Sequence, residues 1–267
     1  MDSNIYNDPE LYGLEHSGDS QDLAFFIRFA RTHRPVRILE IGCGDGRLTI
    51  PVAEAAAEWG ATVCGLDTSR PMLDRAMSKS GADTVDWIEG DVRTFERPSG
   101  FDWIYSGCST LSHLTTSADL LAAWRTASSN LSAGGRFLVA ELMADLPALA
   151  ESMSSPPRVP VQFDLEAGNG ADHLVRYRAT LYQAHTQTAD VHYLYDHFER
   201  GRDDAERRLS QFRAHVFFPH EFQLLFLAAG LELEDLWGDF RGSRLASHSR
   251  HLIGCGRKRS VPTEAGS

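Results

Sequence analysis

Lysine is nearly missing from this chain. It stands at positions 79 and 258 only, so almost all of the 26 basic side chains are arginines, a bias that points to a GC-rich bacterial genome. Basic surplus is missing too: 37 acidic residues leave a formal net charge of −11. Nucleic-acid backbones demand clustered Lys and Arg. The only dense basic run, Arg257-Lys258-Arg259, lies near the C-terminal end and reads as solvated, so no nucleic-acid partner is expected. No apolar run reaches membrane-spanning length. The opening residues are polar and acidic, unlike a secretory leader, and a cytoplasmic location with no membrane partner is expected. Cys43, Cys64, Cys108 and Cys255 form no CxxC pair, which predicts reduced, buried thiols rather than disulfides or zinc. His185, His192, His215 and His220 have no metal-ligand spacing, so no metal is expected. Internal repeats are absent.

What is present is a glycine turn. Val36, Ile38, Leu39 and Ile41 make a nearly continuous apolar run, as a strand covered on both faces requires. Gly42, Gly44 and Gly46 follow, and a helix then restarts. Three missing Cβ atoms let a ligand approach the backbone, with the first amides of the next helix aimed at it.

The rest of the chain alternates strands and helices. Residues 1–20 read as an N-terminal arm. Leu23, Phe26, Ile27 and Ala30 predict a helix over 22–33, with Asp19 or Ser20 as cap. Helices are expected at 48–59, 71–78, 118–131 and 220–229, the first with Pro51 in its early turns. Strands are expected at 61–66, 85–88, 101–105, 136–142, 231–236 and 251–255. This order predicts an α/β fold with a doubly wound, mostly parallel sheet. Residues 143–170, with Pro147, Pro156, Pro157 and Pro160, read as irregular with one short helix. Period-two alternation over 174–182, 191–199 and 208–217 predicts an antiparallel meander inserted after strand five. The expected units are thus the arm at 1–20, the α/β domain at 21–142 and 216–257, the insertion at 143–215, and a disordered tail at 258–267.

The turn itself limits the ligand. A dinucleotide turn, G-x-G-x-x-G counted from Gly42, needs glycine at 47, where Arg47 stands. No Lys-Ser/Thr pair follows, so it is not a phosphate-binding P-loop. The run ILEIGCGDGR resembles motif I of class I S-adenosylmethionine-dependent methyltransferases, and the resemblance extends over most of 36–142 and resumes at about 216–256. It implies a Rossmann-like fold and S-adenosylmethionine as cofactor. It also implies roles for residues that match the family's pattern. Glu40, Gly42, Cys43 and Gly44 form the turn at the carboxylate end. Asp67, followed by Thr68, ends strand two and accepts the ribose hydroxyls, since a carboxylate offers two oxygens to vicinal donors. Met72 packs on the adenine, and Asp91 and Val92 read its edge. Ser106, in FDWIYSGCSTLSHL, lines the methyl-transfer site. Ala133 replaces the usual proline before strand five.

A methyl sulfonium is already activated, so the protein supplies alignment and a water-poor pocket. His113, just past strand four at the ligand-binding edge, is the candidate general base. Its alternative is a helix-capping or packing role. Tyr6 and Tyr12 of the arm are candidate lid and substrate contacts, as are Tyr182, Tyr195 and His197 of the meander. The meander also suits a homodimer interface. Three readings stand at this point. The first is a methyltransferase acting on a small-molecule acceptor in specialised metabolism, at an amine nitrogen or at carbon or oxygen; SGCS in place of an NPPY-type motif disfavours nucleic-acid bases. The second is an NAD-linked oxidoreductase. The third is a non-catalytic S-adenosylmethionine-binding protein.

Overall fold

A computed structural model describes residues 5–16, 21–98, 100–153, 161–166, 173–199, 201 and 204–259. A single turn at Ile5–Asn7 leads into α1 (Pro9–Glu15), whose first amides are capped by Asp8. The helix α2 (Gln21–His33) follows; the caps expected at Asp19 or Ser20 lie outside the described residues. Then come β1 (Arg37–Ile41), α3 (Thr49–Ala56), β2 (Thr62–Asp67), α4 (Arg70–Met77), β3 (Val85–Glu89) and β4 (Phe101–Ser106). After them come α5 (Ser117–Asn130), β5 (Leu131–Leu142) and α6 (Leu146–Ser152). The strands β6 (Val161–Glu166), β7 (His173–Gln183), β8 (Thr188–Phe198) and β9 (Glu206–His215) build a second sheet. Finally α7 (Pro219–Ala228), β10 (Leu231–Trp237) and β11 (His251–Lys258) return to the first.

The first sheet has seven strands in the order β10-β11-β5-β4-β1-β2-β3. Strands β5, β4, β1, β2 and β3 run parallel, and β11 and β10 add antiparallel at one edge. Both faces are covered. Phe25, Phe26 and Phe29 of α2 pack with Val52 of α3 on one side. Trp124 of α5 packs with Phe222 and Phe226 of α7 on the other. That double cover explains the apolar run in β1, where Ile38, Leu39 and Ile41 are buried. The strand order reverses between β1 and β4, so their carboxyl ends open a crevice, the place where such sheets take ligands.

Several expectations need correction. Val36 is 53% exposed and stands before β1, where its amide donates to Asp102. The fifth strand starts at Leu131, directly after α5, because Leu131 already pairs with Phe101. Lys258 is not tail: it ends β11, and its ammonium donates to the Leu131 carbonyl at 2.7 Å. Residues 260–267 lie outside the described residues. The inserted sheet has four strands, order β6-β7-β8-β9, not three. Cys108 is exposed because it sits on the turn beyond β4, whereas Cys43, Cys64 and Cys255 are buried.

Candidate active site

The crevice is built from four chain segments. The first is the glycine turn. Gly42, Gly44 and Gly46 have φ of 68°, 53° and 78°, a region costly for residues with a Cβ. A Cβ on Gly42 would stand 2.1 Å from Thr110 Cγ2, so the turn after β4 can close on it only because it is glycine. One expectation fails here. The turn's amides do not all face a ligand. Those of Gly42 and Cys43 donate to the Leu66 carbonyl, at 2.7 and 3.1 Å, and that of Gly46 to Cys43. They lock the end of β1 onto β2, and the turn instead offers bare backbone surface. Glu40 lies beneath it, fully buried, accepting from the Thr49 and Tyr105 hydroxyls. Burial raises its carboxyl to about 8.

The second segment ends β2. Asp67 accepts the Gly44 amide at 2.7 Å and the Ser69 amide at 2.8 Å. Burial raises its pKa, and these amides partly offset that. Each oxygen keeps a further lone pair for vicinal hydroxyls. Thr68 is exposed beside it. Met72 is buried, and its Cε lies 3.2 Å from where a Gly44 Cβ would be, so its thioether roofs the turn. After β3, Asp91 is clamped by the Arg93 guanidinium, which holds its carboxyl below the usual range, and the half-buried Val92 follows in sequence.

The third segment follows β4. Ser106 is fully buried and its Oγ has no hydrogen-bond partner among the described residues, an orphaned polar atom at the strand's ligand end. Cys108 and Ser109 both have positive φ, 53° and 56°, and such strain persists where surrounding structure imposes it. The imposing group is Glu141 at the end of β5. Its buried carboxylate accepts the Leu111 amide at 3.0 Å, and also bonds to Ser109 and Ser112. The turn so held presents His113, whose Nε2 lies 2.9 Å from the Tyr6 hydroxyl. Burial lowers the His113 pKa to about 4. The imidazole is therefore neutral at pH 7 and shares one hydrogen bond with the phenol.

The fourth segment is the arm, held between the two sheets. The Tyr6 carbonyl accepts from Ser69 Oγ at 2.9 Å, which ties the arm to the residue two past Asp67. Tyr12 is buried and stacks on His16. The inserted sheet grips the arm from above. Ile5 donates its amide to Ser210 Oγ, Asp8 pairs with Arg208, and Glu15 pairs with Arg176. Tyr195 also donates its hydroxyl to Glu15, at 2.6 Å. Phe212 lies 5.3 Å from His113 and 5.5 Å from Tyr193, ring to ring.

The structure thus brings together Gly42, Cys43, Gly44, Asp67, Met72, Ser106, His113, Tyr6 and Tyr12. It gives Tyr195 a different task from the expected substrate contact, since its hydroxyl anchors the arm through Glu15. His197 is six residues along β8 from Val191, the register partner of Phe212, hence roughly 20 Å from that row. It is too far to meet an acceptor at His113. Tyr182 lies at the other end of the same face, near Glu221, with no ring contact to the cluster. Sequence reasoning missed Glu15, Glu141 and Phe212. Only Glu141 carried a signal, as a carboxylate inside the apolar run Phe137–Met143.

The residues present fit an adenosyl-sulfonium cofactor: a Cβ-free turn, a carboxylate with spare lone pairs at the β2 end, a buried thioether and an orphaned hydroxyl. Comparison decides the family. Residues 38–135 match the methyltransferase domain family. The chain is an S-adenosylmethionine-dependent methyltransferase. The enzyme is 26% identical over 259 residues to a cypemycin N-terminal methyltransferase of Streptomyces sp, covering 94% of this chain and 97% of that one. It is 26% identical over 238 residues to the dTDP-3-amino-3,4,6-trideoxy-alpha-D-glucopyranose N,N-dimethyltransferase of Streptomyces venezuelae, covering 87% and 90%. Its fold matches the CcbJ methyltransferase of Streptomyces caelestis with a TM-score of 0.72 at 22% identity, over 92% and 98% of the two chains. The oxidoreductase and non-catalytic readings fall with these matches. No helix among the described residues is long and apolar enough to cross a membrane.

Proposed function

We propose that the enzyme methylates an amine nitrogen of a small molecule in specialised metabolism. The observation that carries this is the aromatic enclosure of Tyr6, His113, Tyr193 and Phe212 beside the donor turn. S-adenosylmethionine, when bound, supplies an electrophilic methyl group on a sulfonium. Asp67 would hold its ribose hydroxyls, Met72 its adenine face, Asp91 and Val92 the adenine edge, and Gly42–Gly44 the methionine end. The enclosure excludes water and presents ring faces, which favour both a sulfonium and the ammonium that forms. Of the relatives above, one is named an N,N-dimethyltransferase and the other an N-terminal methyltransferase.

His113 sharpens the reading. With a pKa near 4 it is a weak base, so it cannot strip an ammonium efficiently. The acceptor enters as a free amine with its lone pair available. His113 then acts chiefly by fixing the Tyr6 hydroxyl at the site. The arm serves as lid and the inserted sheet as roof. A homodimer through the insertion would use its outer face, where Leu181 and Leu209 are exposed, and light scattering reads it directly.

The test is mass spectrometry on a panel of amines, alcohols and phenols incubated with methyl-labelled S-adenosylmethionine. Labelled product at an amine nitrogen is expected. Label found on oxygen or carbon alone overturns the nitrogen assignment.

A further inference from the structure

The inner face of the inserted sheet carries three arginines. Arg176 is paired with Glu15, and Arg208 with Asp8 and Glu206. The outward arginines are paired as well, Arg207 with Asp196 and Arg213 with Asp190. Arg178 differs. Among the described residues its hydrogen bond is from Nε to Thr180 Oγ1 at 2.8 Å, and no carboxylate of those residues meets it. Yet it is only partly exposed. A partly buried guanidinium without a counter-charge has surrendered hydration for nothing in return, unless something else supplies the charge.

Its position says what. Arg178 is in register with Tyr193, and Tyr193 with Ser210. Side chains directly opposite in a ladder share a face. The Arg178 side chain therefore emerges on the face where Ser210 holds the arm and Phe212 meets His113. It stands two strands from β9, roughly 10 Å at ordinary strand spacing. The strand β6 pairs with β7 only as far as Tyr177, so among the described residues β7 has no neighbour on that side at Arg178. The guanidinium stands opposite the Tyr193 position on the inner face of the sheet.

We propose that Arg178 seats an oxyanion of the methyl acceptor, a carboxylate or a phosphoryl group, held bidentately while the amine reaches the donor some way off. Guanidinium planarity suits either anion. The inference rests on the methyl-transfer reading and adds to it a requirement: the acceptor is bifunctional, amine at one end and anion at the other. In a chain of net charge −11, a cation on the inner face of the sheet favours an anionic group at that point.

The test observes Arg178 itself. Arginine Nε–H resonances are recorded by NMR on the full chain saturated with S-adenosylhomocysteine, and Arg178 is assigned by the signal lost in Arg178→Gln. Inorganic pyrophosphate and acetate are titrated separately. A saturable shift of the Arg178 resonance with at least one anion is expected, with the Arg213 resonance unmoved. A response to pyrophosphate alone identifies a phosphoryl acceptor, and a response to acetate alone a carboxylate. An Arg178 resonance that moves with neither anion overturns the proposal. So does an anion that shifts Arg178 and Arg213 alike. Calorimetry of S-adenosylhomocysteine binding on the same sample keeps the two readings apart: donor binding without an Arg178 response sinks this inference alone, and loss of donor binding sinks the methyl-transfer reading.

Discussion

The Nε2 atom of His113 stands 2.9 Å from the phenolic oxygen of Tyr6, a residue 107 positions earlier in the chain. Neither side chain reaches a usable position alone. Tyr6 is steadied by its carbonyl on Ser69, and His113 by the turn that Glu141 holds. Replacing Tyr6 with Phe removes the hydroxyl and takes this hydrogen bond from the buried imidazole nitrogen. We expect kcat to fall by about tenfold to a hundredfold, the loss of one or two well-placed hydrogen bonds. The dissociation constant for S-adenosylmethionine should change little. Steady-state kinetics and calorimetry read the two separately, and an unchanged kcat removes Tyr6 from the chemistry.

The same pair sets a pH dependence. Burial lowers the His113 pKa from 6.5 to about 4. Between those values the unfolded chain binds the proton and the native chain does not, so stability falls as pH drops. At pH 5 this one group should make the protein about 2 kcal/mol less stable than at pH 7. Urea unfolding at the two pH values measures it. In His113→Phe that share of the difference should disappear.

Asp67 is the expected handle for the ribose. Asp67→Ala should weaken S-adenosylmethionine binding by about tenfold to a hundredfold, the scale of charge-assisted hydrogen bonds. The Gly44 amide also loses its acceptor, so thermal stability should drop slightly. Calorimetry that returns wild-type affinity would take the ribose away from Asp67.

Gly42→Ala meets two obstacles, a positive φ and the Thr110 side chain 2.1 Å from the new Cβ. A cost of at least about 3 kcal/mol is expected, from left-handed strain plus overpacking. In a Thr110→Gly background only the backbone share, about 1–2 kcal/mol, should remain. A double-variant unfolding cycle checks the coupling.

Glu15 joins Arg176 and Tyr195 of the inserted sheet to α1. Glu15→Ala removes the Glu15 carboxylate from a largely buried guanidinium, and breaking such a pair costs about 3–5 kcal/mol. The arm should release before the core unfolds, with hydrogen exchange at residues 5–16 accelerating while that of β1 and β4 stays slow.

Much of this was legible in the sequence because it rests on local pattern. An apolar strand, alternate glycines and acidic strand ends at Asp67 and Asp91 are short-range signals, and the seven-stranded sheet follows from them. The strand Val161–Glu166 alternates cleanly, yet the prolines at 156, 157 and 160 drew the segment into an irregular reading. The roles of Tyr195 and Glu141 were not legible. Each depends on a partner far away, Glu15 at 180 residues' separation and Leu111 at 30. The amide donors of the turn were not legible for a related reason. Whether a glycine amide is free depends on Leu66 in the neighbouring strand, not on the glycines.

The hydrogen bond from Ile5 to Ser210 spans 205 residues. The arm leaves the ribosome well ahead of β9, so it can meet Ser69 and His113 before the inserted sheet exists to hold it from the other side. A nascent chain can complete its parallel sheet and hold the donor while its acceptor chamber still lacks a wall. In the order of synthesis, the acceptor chamber is therefore finished only after the donor turn it covers.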